Sequence, residues 1–122
     1  MELSTGLRAS VSRVVTEGLT AEALGSGDVP VLGTPAVLAM MEEAARVAIR
    51  PALDAVRTSV GTRVELEHLA PSKVGATVEV TAELTNVDGR TLEFACEARE
   101  GDRVVARARH TRVVVDRERF LA

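Results

Sequence analysis

Hydrophobic and polar residues alternate along most of the second half of the chain, and a period of two is typical of half-buried β-strands. Four stretches carry this pattern, at residues 63–68, 77–84, 91–99 and 103–109. The dipeptides Asp88-Gly89 and Gly101-Asp102 separate the last three stretches and favour tight hairpin turns. The last three strands are therefore expected to form an antiparallel meander.

The alternation also predicts which side chains face the core. Every second residue from Val64 to His68 takes the inward phase of the first strand, and every second residue from Val104 to Ala108 takes that of the last. Residues 6–16 are a weaker strand candidate that could join the same sheet.

A period of 3.6 residues predicts one long helix from residue 35 to about residue 56. Thr34 is expected to be its N-cap, and Pro35 its first helical residue. Pro51 is expected to kink or break the last turns. Residues 17–33 contain too many glycines for one long element and are expected to form a short helical turn and a loop. One face of the long helix is an apolar arc: Val37, Leu38, Met41, Ala44, Ala45, Ala48, Ile49 and Ala52.

The composition narrows the class of protein. A chain of 122 residues and 12.9 kDa suits a single domain, here residues 1–122. Aromatic residues make up 2%, which argues against base stacking, and a net charge of −3 provides no basic surface for nucleic acid. Apolar runs are too short to span a bilayer, and the N-terminus lacks a signal-peptide layout. We expect a cytoplasmic protein that binds neither nucleic acid nor membrane.

One helix is too small to cover a sheet of about five strands. The sheet would also leave exposed edges, which proteins usually protect. A homodimer that extends the sheet from edge to edge would solve both problems, and a tetramer could be built from it.

Glu42 is the most informative carboxylate in the chain. On the helical wheel it lies at the border of the apolar arc, whereas Glu43, Arg46 and Arg50 lie on the opposite face. A partly desolvated carboxylate suits acid–base chemistry. The alternative is a structural role for Glu42, as the partner of Arg46 four residues later.

Two histidines are candidate bases, because an imidazole titrates near working pH. His68 has the same phase as Val64 and Leu66, and His110 has the same phase as Ala106 and Ala108. Either one could instead be a core histidine whose hydrogen bonds are satisfied, and periodicity does not distinguish them. Cys96 is expected to be a small buried hydrophobic residue.

Thr34 is explained by capping alone, but its hydroxyl and the free amides at the helix start would also form a donor cluster for an anionic or carbonyl oxygen. Metal ligands are not expected, because the two histidines are far apart in sequence and the chain has only one cysteine. No phosphate-binding glycine motif is present.

Together these residues resemble the fluoroacetyl-CoA thioesterase-like family of the hotdog-fold superfamily. The shared pattern is Gly33-Thr34 at the helix start, Glu42 eight residues later, Gly61-Thr62, and His68 at the end of the next strand. The resemblance continues through VTAEL, the VDGR turn and His110-x-Arg112, and covers roughly residues 30 to 115. It implies an α+β hotdog fold, with a long central helix wrapped by a mainly antiparallel sheet of about five strands.

The resemblance also implies an activity, namely hydrolysis of a small acyl-CoA thioester at a dimer interface. Thr34, Glu42 and His68 would form the catalytic trio, with Gly33, Gly61 and Arg112 binding the substrate. No cofactor is implied, since CoA is part of the substrate. The alternative is a non-catalytic hotdog module that binds CoA esters or another small ligand, although such a module has no reason to keep the trio together.

The resemblance does not indicate which acyl group the substrate carries. Residues 21–32 contain no aromatic side chain, whereas the fluoroacetyl-specific enzyme is thought to gate its acyl pocket with phenylalanines in this segment.

Overall fold

The sheet follows the alternation in the sequence. The structure, a computed structural model, describes residues 2–122. Its five strands are β1 (Arg8–Val14), β2 (Arg57–His68), β3 (Thr77–Asp88), β4 (Thr91–Glu100) and β5 (Arg103–Asp116). They form one antiparallel sheet in the order β1-β3-β4-β5-β2. The predicted meander and the strand near residues 6–16 are confirmed, and Gly89 and Gly101 provide the positive φ of the two hairpins, +60° each.

One long helix, α2 (Thr34–Ile49), lies across one face of the sheet and packs chiefly against β3 and β1. Its buried side matches most of the predicted arc and also includes Ala36 and Met40, whereas Leu38 is only half-buried. Two short helices, α1 (Ala21–Leu24) and α3 (Arg117–Leu121), accompany it. The core consists of these helix residues and the inward side chains of β3, β4 and β5.

Both predicted ends of the long helix are corrected by the structure. The N-cap is Gly33, so Thr34 is already the first helical residue and its side chain makes no capping hydrogen bond. At the other end α2 stops at Ile49, and Pro51 lies in a 3₁₀ turn, Arg50–Ala52, before the chain becomes extended at Leu53. Proline ends the α-helix because it has no N–H to donate and its ring collides with the preceding turn.

β-Bulges in β5 and β2 shift the faces that simple alternation predicts. In β5, Ala106 pairs with Ala98 and Val104 with Arg99, so Val105 is an extra residue and is buried where Val104 was expected to be. In β2, Gly61 pairs with Arg112 and Arg63 with Thr111, which leaves Thr62 as the extra residue. The second bulge places Gly61 on the same face as Val64 and His68, toward α2.

The opposite face of the sheet is charged. Glu65 of β2 lies opposite Arg109 of β5, and Glu67 lies opposite Arg107. Cross-strand pairs of opposite charge are stable in contact with water, so this face does not have to pack against another element. No helix within residues 2–122 is long and apolar enough to cross a membrane.

Candidate active site

The helix start and the end of β2 meet at a hydrogen bond between Thr34 and His68. The Thr34 hydroxyl and Nδ1 of His68 are 2.8 Å apart. Because Gly33 is the N-cap, the hydroxyl is not used for capping and is free to bind the imidazole. The structure therefore brings together two of the predicted trio.

His68 is poised as a base. Burial lowers the pKa of its imidazole from the usual 6.5, and the backbone at Ala70 partly offsets this effect. Its Nε2 is buried and has no hydrogen-bond partner among the described residues. A neutral ring with one nitrogen on a hydroxyl can accept the proton of that hydroxyl.

Glu42 lies elsewhere, in a second polar group beside β2 and β5. Its Oε2 accepts a hydrogen bond from Nη1 of Arg112 at 3.3 Å, and its side chain is 39% exposed. The alternative pairing with Arg46 is wrong. Glu43 instead binds Arg13 of β1, at 2.6 and 2.9 Å, so the two neighbouring glutamates face different surroundings, as the wheel predicts.

Arg112 is buried and held on several sides. Its Nε donates to the Ser59 hydroxyl at 2.8 Å, and its Nη2 donates to the Ser59 carbonyl at 3.1 Å. Burial lowers the pKa of the guanidinium, while the Glu42 carboxylate favours its charged form. Ser59 is a site residue that sequence reasoning missed, because its strand lacks clear alternation before the bulge.

His110 completes the second group. Its Nδ1 donates to the Arg63 carbonyl at 2.9 Å, and its Nε2 lies 3.1 Å from Nη1 of Arg112 and 3.9 Å from Oε2 of Glu42. Of the two histidines, only His68 contacts Thr34.

The two predicted glycines fit closely around these groups. A Cβ on Gly61 would lie 2.3 Å from Oε2 of Glu42 and 3.1 Å from Cε1 of His110. A Cβ on Gly33 would lie 3.1 Å from the backbone of Ala21. Gly61 therefore makes room for the carboxylate, whereas Gly33 lets the helix start pack against α1.

One chain does not bring the whole trio together. Thr34 and Glu42 are eight residues apart on one straight helix, which separates their Cα atoms by about 12 Å. We call Thr34 with His68 the hydroxyl–imidazole pair, and Glu42 with Arg112 and His110 the carboxylate group.

Cys96 is buried, and burial raises the pKa of its thiol to about 12, so it is an inert core residue. Residues 2–122 contain no cluster of three or more potential metal ligands.

A long helix on an antiparallel sheet of order β1-β3-β4-β5-β2, with a hydroxyl, an imidazole and a carboxylate on the helix side, defines a hotdog-fold protein of the thioesterase type. A model of one such family, described as "FlK: Fluoroacetyl-CoA-specific thioesterase", matches residues 15–118. The chain belongs to this family of thioester hydrolases, which confirms the resemblance and the predicted fold.

Individual relatives agree with this assignment. The fluoroacetyl-CoA thioesterase of Streptantibioticus cattleyicolor is 36% identical over 75% of this chain and 66% of the relative, a little under two thirds of its length. A solved structure of the fluoroacetyl-CoA thioesterase FlK is 31% identical and has a TM-score of 0.91 over 99% of this chain and 94% of that one. A Thermus thermophilus thioesterase superfamily member is 29% identical, with a TM-score of 0.88 over 97% and 88%.

Proposed function

We propose that this protein hydrolyses a small acyl-CoA thioester in a site built from two copies of the chain. The observation that carries the proposal is the 2.8 Å hydrogen bond between Thr34 and His68 at the helix start. A hydroxyl held on a neutral imidazole is a standard arrangement for acyl transfer. A relative supports the substrate class, because a variant of FlK has been solved in complex with fluoroacetate and CoA.

The hydroxyl–imidazole pair would act on the thioester carbonyl. Pro35 has no N–H, and the amide of Ala36 donates to the Gly33 carbonyl at 3.0 Å. The donor cluster expected at the helix start is thereby reduced to the amide of Thr34, which would polarise the carbonyl oxygen, while the Thr34 hydroxyl, whose one hydrogen is donated to His68, holds the imidazole beside it. The CoA sulfur would leave with the electrons of the carbon–sulfur bond, and neutral His68 would take a proton from the water consumed in the reaction and pass it to that sulfur.

Glu42 would come from the second copy. Its carboxylate either attacks the carbonyl carbon, which gives an acyl–Glu42 anhydride that water then hydrolyses, or removes a proton from a water that attacks the carbonyl directly. In both routes the carbon–sulfur bond breaks, one water is consumed, and the products are the free acid and CoA thiol. If two copies pack with their long helices antiparallel about a two-fold axis, Thr34 of one copy can lie beside Glu42 of the other. Arg112 and Gly61 would then line the acyl end of the site.

The free edge of the sheet supports the same pairing. β2 is an edge strand twelve residues long, and its helix-side residues Val64 and Leu66 are only half-buried because α2 packs mainly over β3 and β1. A long, unprotected edge beside half-covered apolar residues favours pairing with a second chain.

The activity is tested by thiol release from a panel of short acyl-CoA esters. We expect turnover of at least one small acyl-CoA, with loss in Thr34→Ala and His68→Ala. Tight binding of CoA esters without hydrolysis of any panel member would instead identify a non-catalytic hotdog module.

Complementation tests the shared site. Thr34→Ala and Glu42→Ala should each be nearly inactive, but mixed and re-equilibrated chains should recover about a quarter of wild-type activity. The reason is that half of the dimers then contain both variants, and one of the two sites in each is intact.

Light scattering should give a mass of twice 12.9 kDa. Protein concentration is measured by refractive index, because the sequence has no Trp or Tyr. No recovery in a dimeric mixture, or a monomeric mass, would contradict the shared site.

Gly61→Ala tests the close approach of the carboxylate. The new methyl group would collide with Oε2 of Glu42, and we expect the carboxylate to move and turnover to fall on the order of tenfold or more with little change in Tm. Gly18→Ala is the matched control, because a Cβ there meets nothing within 4 Å. Equal activity of the two variants would show that the position of Glu42 does not limit the reaction.

A further inference from the structure

The hydrogen bonds of His110 determine which of its ring nitrogens carries the proton. The Arg63 carbonyl can only accept, so Nδ1 at 2.9 Å must be the protonated nitrogen of the neutral ring. Nε2 then has a free lone pair, and it accepts from Nη1 of Arg112 at 3.1 Å. His110 is thus an acceptor for the same guanidinium nitrogen that binds Glu42.

We propose that His110 is a positioning residue that fixes the Arg112 guanidinium against the Glu42 carboxylate, and that protonation of His110 dissolves this arrangement. The expected effect on substrate binding rests on the proposed function. The ordering of the Arg112 guanidinium by the His110 imidazole does not depend on that function.

The surroundings keep His110 neutral at neutral pH. It is 1% exposed, and its ring lies 6.1 Å from the ring of Phe94 on β4. Burial, reinforced by the charge of Arg112, lowers its pKa, while the Arg63 carbonyl and the carboxylate of Glu42 oppose this shift.

The charged groups around His110 are few. Glu42 faces it from α2 and Arg112 from its own strand, and Arg46 of α2 acts on Arg112. From β2 only the Arg63 carbonyl reaches the ring, because the Arg63 side chain pairs with Glu65.

Protonation would reverse the role of Nε2. A hydrogen on Nε2 would point at a guanidinium N–H, which places two donors and two positive charges 3.1 Å apart. The same hydrogen could bind Oε2 of Glu42, now 3.9 Å away, in competition with Arg112. Arg112, which is proposed to line the acyl end of the site, would lose its acceptor and with it its fixed position toward the substrate. We therefore expect acid to weaken substrate binding through His110 and the chemical step through His68.

Kinetics of three variants test the role of His110. His110→Ala and His110→Phe remove the acceptor, and Phe also fills the space beside Phe94 should Ala fail to fold. Both should raise KM on the order of tenfold or more, the range for a lost hydrogen bond to a charged group, with a smaller change in kcat. His110→Gln keeps an acceptor that does not titrate, so its KM should stay near wild type and no longer rise in acid. Thr111→Ala is the matched control on the same strand.

A spectroscopic readout separates this inference from the proposed function. Nitrogen-15 NMR of the arginine side chains should show a slowly rotating Arg112 guanidinium that becomes mobile on acidification in the wild type and stays ordered in His110→Gln. This result holds even if no acyl-CoA is hydrolysed. A mobile Arg112 at neutral pH in the wild type, an unchanged KM in His110→Phe, or an acid rise of KM in His110→Gln would overturn the proposal.

Discussion

His68→Ala is expected to lower turnover of short acyl-CoA esters about a hundredfold or more, the scale of a positioned acid–base group. Of the two histidines, only His68 contacts the Thr34 hydroxyl, through Nδ1 at 2.8 Å, so it is the imidazole placed to accept and return a proton in the reaction. Glu67→Ala, one residue earlier on the charged face, is the matched control and should keep wild-type activity.

The protonation state of His68 determines how kcat depends on pH. The base works as the neutral ring, and burial lowers its pKa below 6.5, so kcat should be flat through neutral pH and should fall only in more acidic solution. The residual activity of His68→Ala should lack this acid limb. A folded His68→Ala protein with normal turnover and an unchanged pH profile would contradict the mechanism.

Glu42→Ala should remove most thioester hydrolysis, whereas Glu43→Ala should leave it nearly intact. Glu42 binds Arg112 beside Gly61, on the face where the substrate is proposed to bind. Glu43 pairs with Arg13 on a partly exposed surface, where such a pair contributes about 0.2–1 kcal/mol to stability and nothing to the site.

Glu42→Gln refines this comparison, because it keeps the size of the side chain and removes its charge. Activity should be lost in Glu42→Gln as well, and thermal unfolding should show that all three variants fold. Equal losses in Glu42→Ala and Glu43→Ala, or a loss confined to Glu43→Ala, would show that the assignment of the carboxylate is wrong.

The proposed site combines residues whose placement was predictable to different degrees. Thr34, Glu42 and His68 were found by spacing and resemblance, and the Thr34–His68 hydrogen bond confirms that the first and last of them meet. The partner of Glu42 was not predictable from the helix, since Arg46 is one turn away whereas Arg112 is seventy residues away. Only strand pairing brings Arg112 beneath the helix.

Short-range signals in the sequence are enough to identify the elements and the family. Periods of 2 and 3.6 residues are local properties, so alternation identified the strands, the hairpin dipeptides identified the turns, and Pro51 marked the region where the helix ends. These signals depend on residues a few positions apart, which a linear reading captures.

The faces and partners of those elements depend on how the whole chain packs. A single extra residue, Thr62, moves Gly61 onto the helix side, because one inserted residue reverses the facing of every position before it. The same strand pairing places the Arg63 carbonyl on His110 and thereby selects its tautomer. The register between strands that are distant in sequence depends on the packing of the whole sheet. It cannot be predicted from local periodicity.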